Sequence, residues 1–262
     1  MGGSLVTEFC TTQRDGHVFT VTLNRPDVLN ALHAAANREL AAVFDGFEAD
    51  PELWIAIVTG AGERAFCAGN DLKVQAAGGE LEFTAAGFGG LTSRTTCVKP
   101  LIAAVNGIAM GGGFEIVLAC DIVVASERAV FALPEPRVGL AALAGGIHRL
   151  ARQIPLKHAM GMLLTGRRVS AQQGHALGFV NEVVPHGELL AAARRWADQI
   201  LECAPLSVRA TKQAALAGLD APTLAAAMGG RYEQIGVMLK SEDFREGPRA
   251  FAEKRSPRWK GR

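Results

Sequence analysis

In HVFTVTL, residues 17–23, Phe19, Val21 and Leu23 alternate with Val18, Thr20 and Thr22. This is the period of a β-strand rich in branched side chains. NRP then interrupts it. Ala36, Leu40, Val43, Phe44 and Phe47 return at helical spacing, which predicts an amphipathic helix ending by Asp50-Pro51. LWIAIVTGAG reads as a short buried strand closed by glycine; IAAV, DIVVAS and AVFAL repeat the theme, and FVNEVV adds a later strand. Strand, turn and helix units recur roughly every 35 to 45 residues, too irregularly for a sequence repeat. After about residue 186 the pattern turns helical. Leu189, Leu190, Ala193, Trp196, Ala197 and Ile200 share one face, Pro205 can open the next helix, and residues 222–240 read as another. The expected organisation is an α/β core over 1–186 and a helical part over 187–262 that packs on its own core or on a neighbouring subunit.

One apolar run breaks its own pattern. NGIAMGGGFEIVLACD, residues 106–121, places three glycines and then Glu115 among aliphatic residues. Residues 101–125 are long enough for a membrane helix, which needs about 20 apolar residues. Glu115 and Asp121 oppose that reading, since a carboxylate at the bilayer centre costs roughly 2.5 to 3.5 kcal/mol. Neither a GxGxxG pattern nor a GK[ST] sequence follows, which argues against a nucleotide loop. The remaining reading is a buried strand, a glycine turn that lets the backbone approach another molecule, and a helix starting behind it. Amides at such a helix start favour an anion, and Glu115 in its first turn is placed as an acid or base beside them.

Two further stretches have a similar character. In RAFCAGNDLK, residues 64–73, small residues surround Gly69 directly after a strand, as a backbone anion site or an ordinary glycine turn would require. In FALPEPRVGL, residues 131–140, Pro134 and Pro136 flank Glu135, so the carboxylate is expected in a stiff, non-helical segment, either capping nearby amides or positioned for catalysis.

Composition narrows the functional classes. With 262 residues, 49% hydrophobic and 20% charged, the chain can bury a sizeable core. Its net charge of +1 gives no overall electrostatic case for nucleic acid. Only the tail, REGPRAFAEKRSPRWKGR, is biased, with seven basic and two acidic residues that could meet phosphates or simply be solvated. The five cysteines follow no metal spacing and are expected to be reduced thiols of a cytoplasmic protein without a metal site. MGGSLVTEFCTTQRDG shows no secretory leader pattern.

FCAGNDL, NGIAMGGGFE and FALPE, in this order, resemble the crotonase, or enoyl-CoA hydratase/isomerase, superfamily. NRPDVLNAL, LTGRRVSAQQGHALGFVNEVVP and EGPRAFAEKRSPRW extend the resemblance over nearly the whole chain. It implies an α/β fold, a crotonase-like spiral of ββα turns with a C-terminal helical trimerisation part, assembled as a homotrimer or homohexamer. It implies an acyl-CoA thioester as substrate, with coenzyme A part of that substrate, no separate cofactor, and no nucleic-acid or membrane partner. Two amides, from Asn70 and Gly112, would stabilise the thioester enolate. Ala68, Gly69, Asp71, Leu72, Lys73, Gly111 and Pro134 would surround the substrate, with Arg25, Val28 and Ala31 near the pantetheine and adenine. Lys73 and Lys254 are candidates for the CoA phosphates, Lys254 by reaching a neighbouring subunit's ligand.

Hydratases of this superfamily carry two glutamates, and Glu115 and Glu135 occupy both positions, twenty residues apart. The resemblance thus implies hydration of a 2-enoyl-CoA or the reverse dehydration. Glu115 would activate the water that attacks Cβ, while Glu135 would deliver a proton to Cα. An isomerase, or a carnitinyl-CoA dehydratase-like enzyme on a specialised acyl group, is the enzymatic alternative; an RNA-binding or scaffold protein is the non-enzymatic one. The chain departs from the family pattern at Ala142 and Leu143, where a proline is common in the loop lining the acyl pocket, and at His148, read as a structural or surface residue. Asp121 is expected to cap the turn after its helix.

Overall fold

The computed structural model describes residues 7–78 and 84–262. The leader reading of the N-terminus falls partly on residues 1–6, outside the described residues. The strands are β1 (Cys10–Asp15), β2 (Val18–Leu23), β3 (Ile55–Gly60), β4 (Ala65–Cys67), β5 (Leu101–Val105), β6 (Ile108–Met110), β7 (Ile122–Ser126), β8 (Val130–Ala132), β9 (Val169–Ser170) and β10 (Glu182–Val184). The helices are α1 (Ala34–Ala49), α2 (Leu72–Ala76), α3 (Gly112–Ala119), α4 (Gly146–Gln153), α5 (Leu156–Thr165), α6 (Ala171–Leu177), α7 (Leu189–Leu201), α8 (Pro205–Gly218), α9 (Leu224–Met228), α10 (Glu233–Lys240) and α11 (Glu242–Ala252).

Successive strands are dealt to two sheets. The larger has the order β1-β2-β3-β5-β7-β10 and the smaller β4-β6-β8-β9. β2, β3, β5, β7 and β10 are parallel neighbours, as are β4, β6 and β8. Each pair β3–β4, β5–β6 and β7–β8 therefore adds one strand to each sheet before the chain moves on, which winds the chain into an α/β spiral of the kind the resemblance implies.

Alternation along the large sheet separates two cores. Val21, Val58, Ala103, Val105 and Ala125 face the main core with Leu40, Phe44 and Phe47 of α1 and Phe114 and Val117 of α3. Val18, Ile55, Ile57, Ile102, Ala104 and Val124 face the other way, against Leu189, Ala192, Ala193 and Ala197 of α7. The sheet is thus covered on both sides, and its strands read as apolar runs for that reason. The segment weighed as a membrane span is β5, β6, α3 and the start of β7. No helix among the described residues is long and apolar enough to cross a membrane.

Helix α1 ends at Asp50 as its pattern predicts. The stretch 222–240 is two helices, because Gly229 and Gly230 interrupt it between α9 and α10. Leu190, placed on the apolar face of α7, is exposed. Strand β1 was not anticipated: CTTQRD has no apolar alternation, and it pairs antiparallel with β2 at the sheet edge.

Candidate active site

The residues between β4 and α2 are held by the loop that follows β2. Leu29 and Asn30 adopt left-handed backbone angles, φ 55° and 56°. That turn aims the Leu29 carbonyl at the Ala68 N–H (2.9 Å), while Leu32 N–H bonds Gly69 O and Asp71 N–H bonds Leu32 O, both at 2.9 Å. Asn30, fully buried, fastens the turn by donating to Ala61 O (3.0 Å) and Ala65 O (2.8 Å) and accepting from Arg25 N–H (2.9 Å). Arg25 Nη1 bonds Asp71 Oδ2 at 3.0 Å and also donates to Ala31 O. Burial pushes the Asp71 carboxyl upward, but Arg25 and the amide of Val74 hold it below the usual range.

This shelf meets the glycine trio directly. At Gly69, φ +92°, a Cβ would lie 2.8 Å from Met110 O and 3.1 Å from Gly112 N, so the Gly69–Asn70 and Gly111–Gly112 backbones converge. The three glycines answer to three different neighbours. Gly111, φ +52°, lies beside the Glu135 carboxylate, whose Oε1 would be 3.1 Å from a Cβ; Gly112 packs on the Phe88 ring; and Gly113 sits so close to Cys67 O that a Cβ would come within 2.0 Å. α3 begins at Gly112, so its N–H is a first-turn amide without an intrahelical acceptor. Two backbone bends far apart in sequence therefore meet at one place, beside the first-turn amide of Gly112.

The carboxylates lie beside it. Glu115 is 4% exposed, and its Oε1 accepts the Gly146 N–H at 2.8 Å. Burial pushes its carboxyl up to about 7; the Gly146 and Ala144 amides and Arg149 oppose that rise, whereas the charge of Glu135 adds to it. Glu135 opens a 3-10 turn, Glu135–Val138. This corrects the non-helical expectation, because a proline is tolerated at the start of such a turn, where its missing N–H is not needed. The Glu135 carboxyl is also raised by burial, and its Oε2 is buried without a hydrogen-bond partner among the described residues. Its carboxyl also accepts the amide of Glu135 itself, which opposes the rise, so the group meets a nearby amide and still leaves that one oxygen unpaired. A pair of carboxyl groups starved of solvent and sharing one region can divide acid and base roles.

A profile of the family described as Enoyl-CoA hydratase/isomerase matches residues 13–262. The chain belongs to the enoyl-CoA hydratase/isomerase family. It is 46% identical to a carnitinyl-CoA dehydratase of Proteus mirabilis over 255 residues, 94% of this chain and 96% of that protein. With the carnitinyl-CoA dehydratase of Salmonella typhi it shares 44% over 257 residues, covering 95% and 97%. Among solved structures it superposes on an enoyl-CoA hydratase of Mycobacterium tuberculosis with a TM-score of 0.89 at 38% identity, covering 97% of this chain and 99% of that one. An enoyl-CoA hydratase of Mycobacterium marinum gives 0.90 at 40%, with the same coverage.

Other anticipated positions of this family member are distributed unevenly. Ala68, Gly69, Asn70 and Asp71 lie on the shelf, Val28 and Ala31 on the loop bracing it, and Pro134 just before Glu135. Leu72 and Lys73 are exposed on α2. Lys254 is exposed beyond the end of α11, with a left-handed backbone. His148 is exposed, in keeping with the surface reading. Asp121 does not cap its own turn: its Oδ2 accepts from Leu101 N–H (2.8 Å) and Lys212 Nζ (2.7 Å), because β5 starts beside it. Four residues escaped notice: Asn30, Phe88, Gly146 and Arg149. Only the glycine pair in AGGIHRL carried a visible signal, that of a backbone approached closely by something else.

Proposed function

We propose that this family member adds water across the 2,3 double bond of a 2-enoyl-CoA, or removes it from the 3-hydroxyacyl-CoA, with no cofactor besides the coenzyme A of the substrate. The observation that carries this reading is the pair of upward-shifted carboxyl groups, Glu115 buried and Glu135 half-buried with its Oε2 shielded from water, beside two converging backbone bends. The amides of Asn70 and Gly112 receive the thioester oxygen. Glu115 takes a proton from water as its oxygen bonds to Cβ, the π electrons move into the enolate, and Glu135 gives a proton to Cα; dehydration is the reverse. Loss of one donor from such a hole typically lowers turnover by about 10²- to 10³-fold.

A second reading, dehydration of carnitinyl-CoA, is favoured by the 46% identical relative of that name. The loop joining the two carboxylates bears on the choice. It begins at Glu135, ends at the Gly146 amide on Glu115, and displays Val138, Leu140 and Leu143, the last 75% exposed. These aliphatic side chains suit a neutral acyl chain better than a quaternary ammonium group, which aromatic faces or carboxylates would recognise. We therefore favour the neutral enoyl-CoA. We further assign a homotrimer or homohexamer, supported by the exposed Leu219, Leu224, Met228 and Phe251 of the C-terminal helices, and a cytoplasmic setting, suited to five free cysteines.

A panel of straight-chain 2-enoyl-CoA, crotonobetainyl-CoA and 3-hydroxyacyl-CoA thioesters, followed by absorbance and product mass, tests the proposal. Hydration of the neutral enoyl thioesters is expected. Turnover of crotonobetainyl-CoA alone would install the second reading, and double-bond migration without water uptake would overturn both.

A further inference from the structure

Helix α4 delivers more to Glu115 than one amide. Its first residue, Gly146, donates the hydrogen bond to Glu115 Oε1, and the same residue packs so closely that a Cβ there would lie 3.0 Å from both Cγ and Oε1 of Glu115. The preceding residue, Gly145, φ +101°, is covered by a different group. A Cβ on it would come within 2.2 Å of Arg149 Nη1, and Arg149 N–H bonds Gly145 O at 2.8 Å. The Gly145–Gly146 turn therefore has a guanidinium packed against one residue and the carboxylate packed against the next. A side chain at Gly145 would strain the left-handed backbone and displace the guanidinium, and one at Gly146 would press on Glu115 and on Ala142.

Arg149 is half-buried, and among the described residues no carboxylate lies within 4 Å of it. A guanidinium withdrawn from water without an ion-pair partner is unusual unless its charge acts on something nearby. Glu115 and Arg149 each feel the other as an opposite charge. The elements packed on α3 offer few competitors: β4 brings the Cys67 thiol, pushed up to about 12 by burial and so neutral; β6 and the Phe88–Gly90 turn bring no titratable group. On α4, His148 is exposed and Arg152 is turned to His148 O. At the end of α3, Cys120 is neutral and Asp121 is paired with Lys212. Glu135 and Arg149 are thus the charges that decide between the two states of Glu115.

We propose that Arg149 is a positioning residue for the acid-base pair: packed on the Gly145–Gly146 turn, it holds that turn against Glu115 and makes Glu115, not Glu135, the member that takes the proton from water. The inference rests on the reading of Glu115 and Glu135 as that pair. An opposite charge nearby favours the ionised carboxylate, and the turn it braces supplies the amide that aims Oε1. Glu135, whose Oε2 meets no donor among the described residues and which Arg149 does not act on, is left as the proton carrier.

The test uses Arg149→Met, Arg149→Gln and Arg149→Lys in the full chain, with the thioester that turns over fastest, and the pH dependence of kcat/KM from pH 5 to 9. In the methionine variant the acidic limb should move up by about one pH unit, lowering turnover about fivefold at pH 7 and little at pH 9, with KM within about twofold of the parent. Lysine should return most of the limb. Glutamine repeats the measurement if the methionine variant does not fold. A limb that superimposes on the parent's, or an equal loss at every pH that lysine does not repair, overturns the proposal. Glu115→Gln is run alongside: full turnover in that variant overturns the underlying acid-base reading instead, whatever the arginine variants show.

Discussion

Glutamates meet opposite treatment in two regions of this molecule. At the C-terminal end, Glu246 accepts from Arg255 Nη1 (2.5 Å) and Nη2 (3.0 Å) and from the Arg258 N–H (2.9 Å), and these donors draw its carboxyl down to about 2. Nearby, buried Asp243 accepts the Lys260 and Gly261 amides, both at 2.8 Å, and Glu242 pairs with Lys260 and Arg262. Every acid there is saturated with donors, and the result is a strap that ties the tail to α11. At α3 and the turn after β8 the reverse holds. Glu115 has two amides and a nearby guanidinium outside ion-pair distance, Glu135 has a buried oxygen with no partner among the described residues, and both carboxyls are pushed up. The same residue type becomes structural fastening where donors are plentiful and a proton carrier where they are withheld.

That contrast breaks most visibly in catalysis. Glu115→Gln and Glu135→Gln should each lower hydration by about 10²- to 10⁴-fold, because a positioned proton carrier contributes on that scale. Acyl-CoA should still bind, since the amide-lined bends remain. Steady-state absorbance and calorimetric titration check the two halves separately. Turnover within about tenfold of the parent in either variant would remove that residue from the chemistry.

The bends themselves sharpen the comparison next. Gly112→Ala drives a methyl into the Phe88 ring, 2.5 Å from the nearest ring carbon, so either the ring or the amide must move. We expect turnover to fall by about 10- to 100-fold. In Gly112→Ala/Phe88→Leu, with the ring removed, part of that loss should return. Gly113→Ala is harsher on folding, because its methyl meets the backbone carbonyl of Cys67 and backbone cannot swing aside. Circular dichroism and thermal midpoints separate the two cases.

The parts legible in the sequence were those governed by local periodicity or by a motif. The buried strands β3, β5 and β7 and the length of α1 followed from apolar spacing, and the glycine trio announced a close backbone approach. The residues that set the electrostatics were not legible in this way. Asn30 looks like one more polar loop residue, yet it is wholly buried and ties the shelf to β4. Arg149 sits in GIHRL with nothing local to mark it, since its meaning comes from a glycine four residues earlier and a carboxylate on another helix. Phe88 was anonymous because the space it fills exists only once Gly112 is brought to it. Long-range packing decided all three, and periodicity carries no record of it.

Stability gives a further, smaller reading of the same contrast. The Glu115 carboxyl titrates near 7 when folded and at the ordinary 4.5 when unfolded, so between those values the folded chain holds more protons. Stability therefore falls as pH rises through that window, and the penalty is fully present above about 7. Glutamine keeps the acceptor for the Gly146 amide without the charge. Glu115→Gln should thus be more stable than the parent at pH 8, by about 2 kcal/mol, and nearly equal to it at pH 5. A thermal midpoint difference that does not change between these two pH values would show that burial does not strain the carboxylate.

The strap should respond least, and in the opposite direction. Glu246 is held below the ordinary range, so its contribution is complete above pH 4.5 and is lost only as pH falls toward 2. Its partners lie near the surface, where water and salt screen the attraction. Glu246→Gln removes the charge while leaving an oxygen for the Arg258 amide, and the partners Glu246 has, Arg255 and Arg258, belong to neither bend and to neither catalytic carboxylate. We expect unaltered kcat and KM at pH 7.5, with a thermal midpoint lower by a few degrees at most, a difference that shrinks in high salt. The measurement bears on the comparison because it isolates saturation from starvation. If removing a saturated glutamate changed turnover as strongly as removing a starved one, the number of donors around a carboxylate would not be what divides fastening from chemistry in this chain, and the strap would have to reach the site through a neighbouring copy.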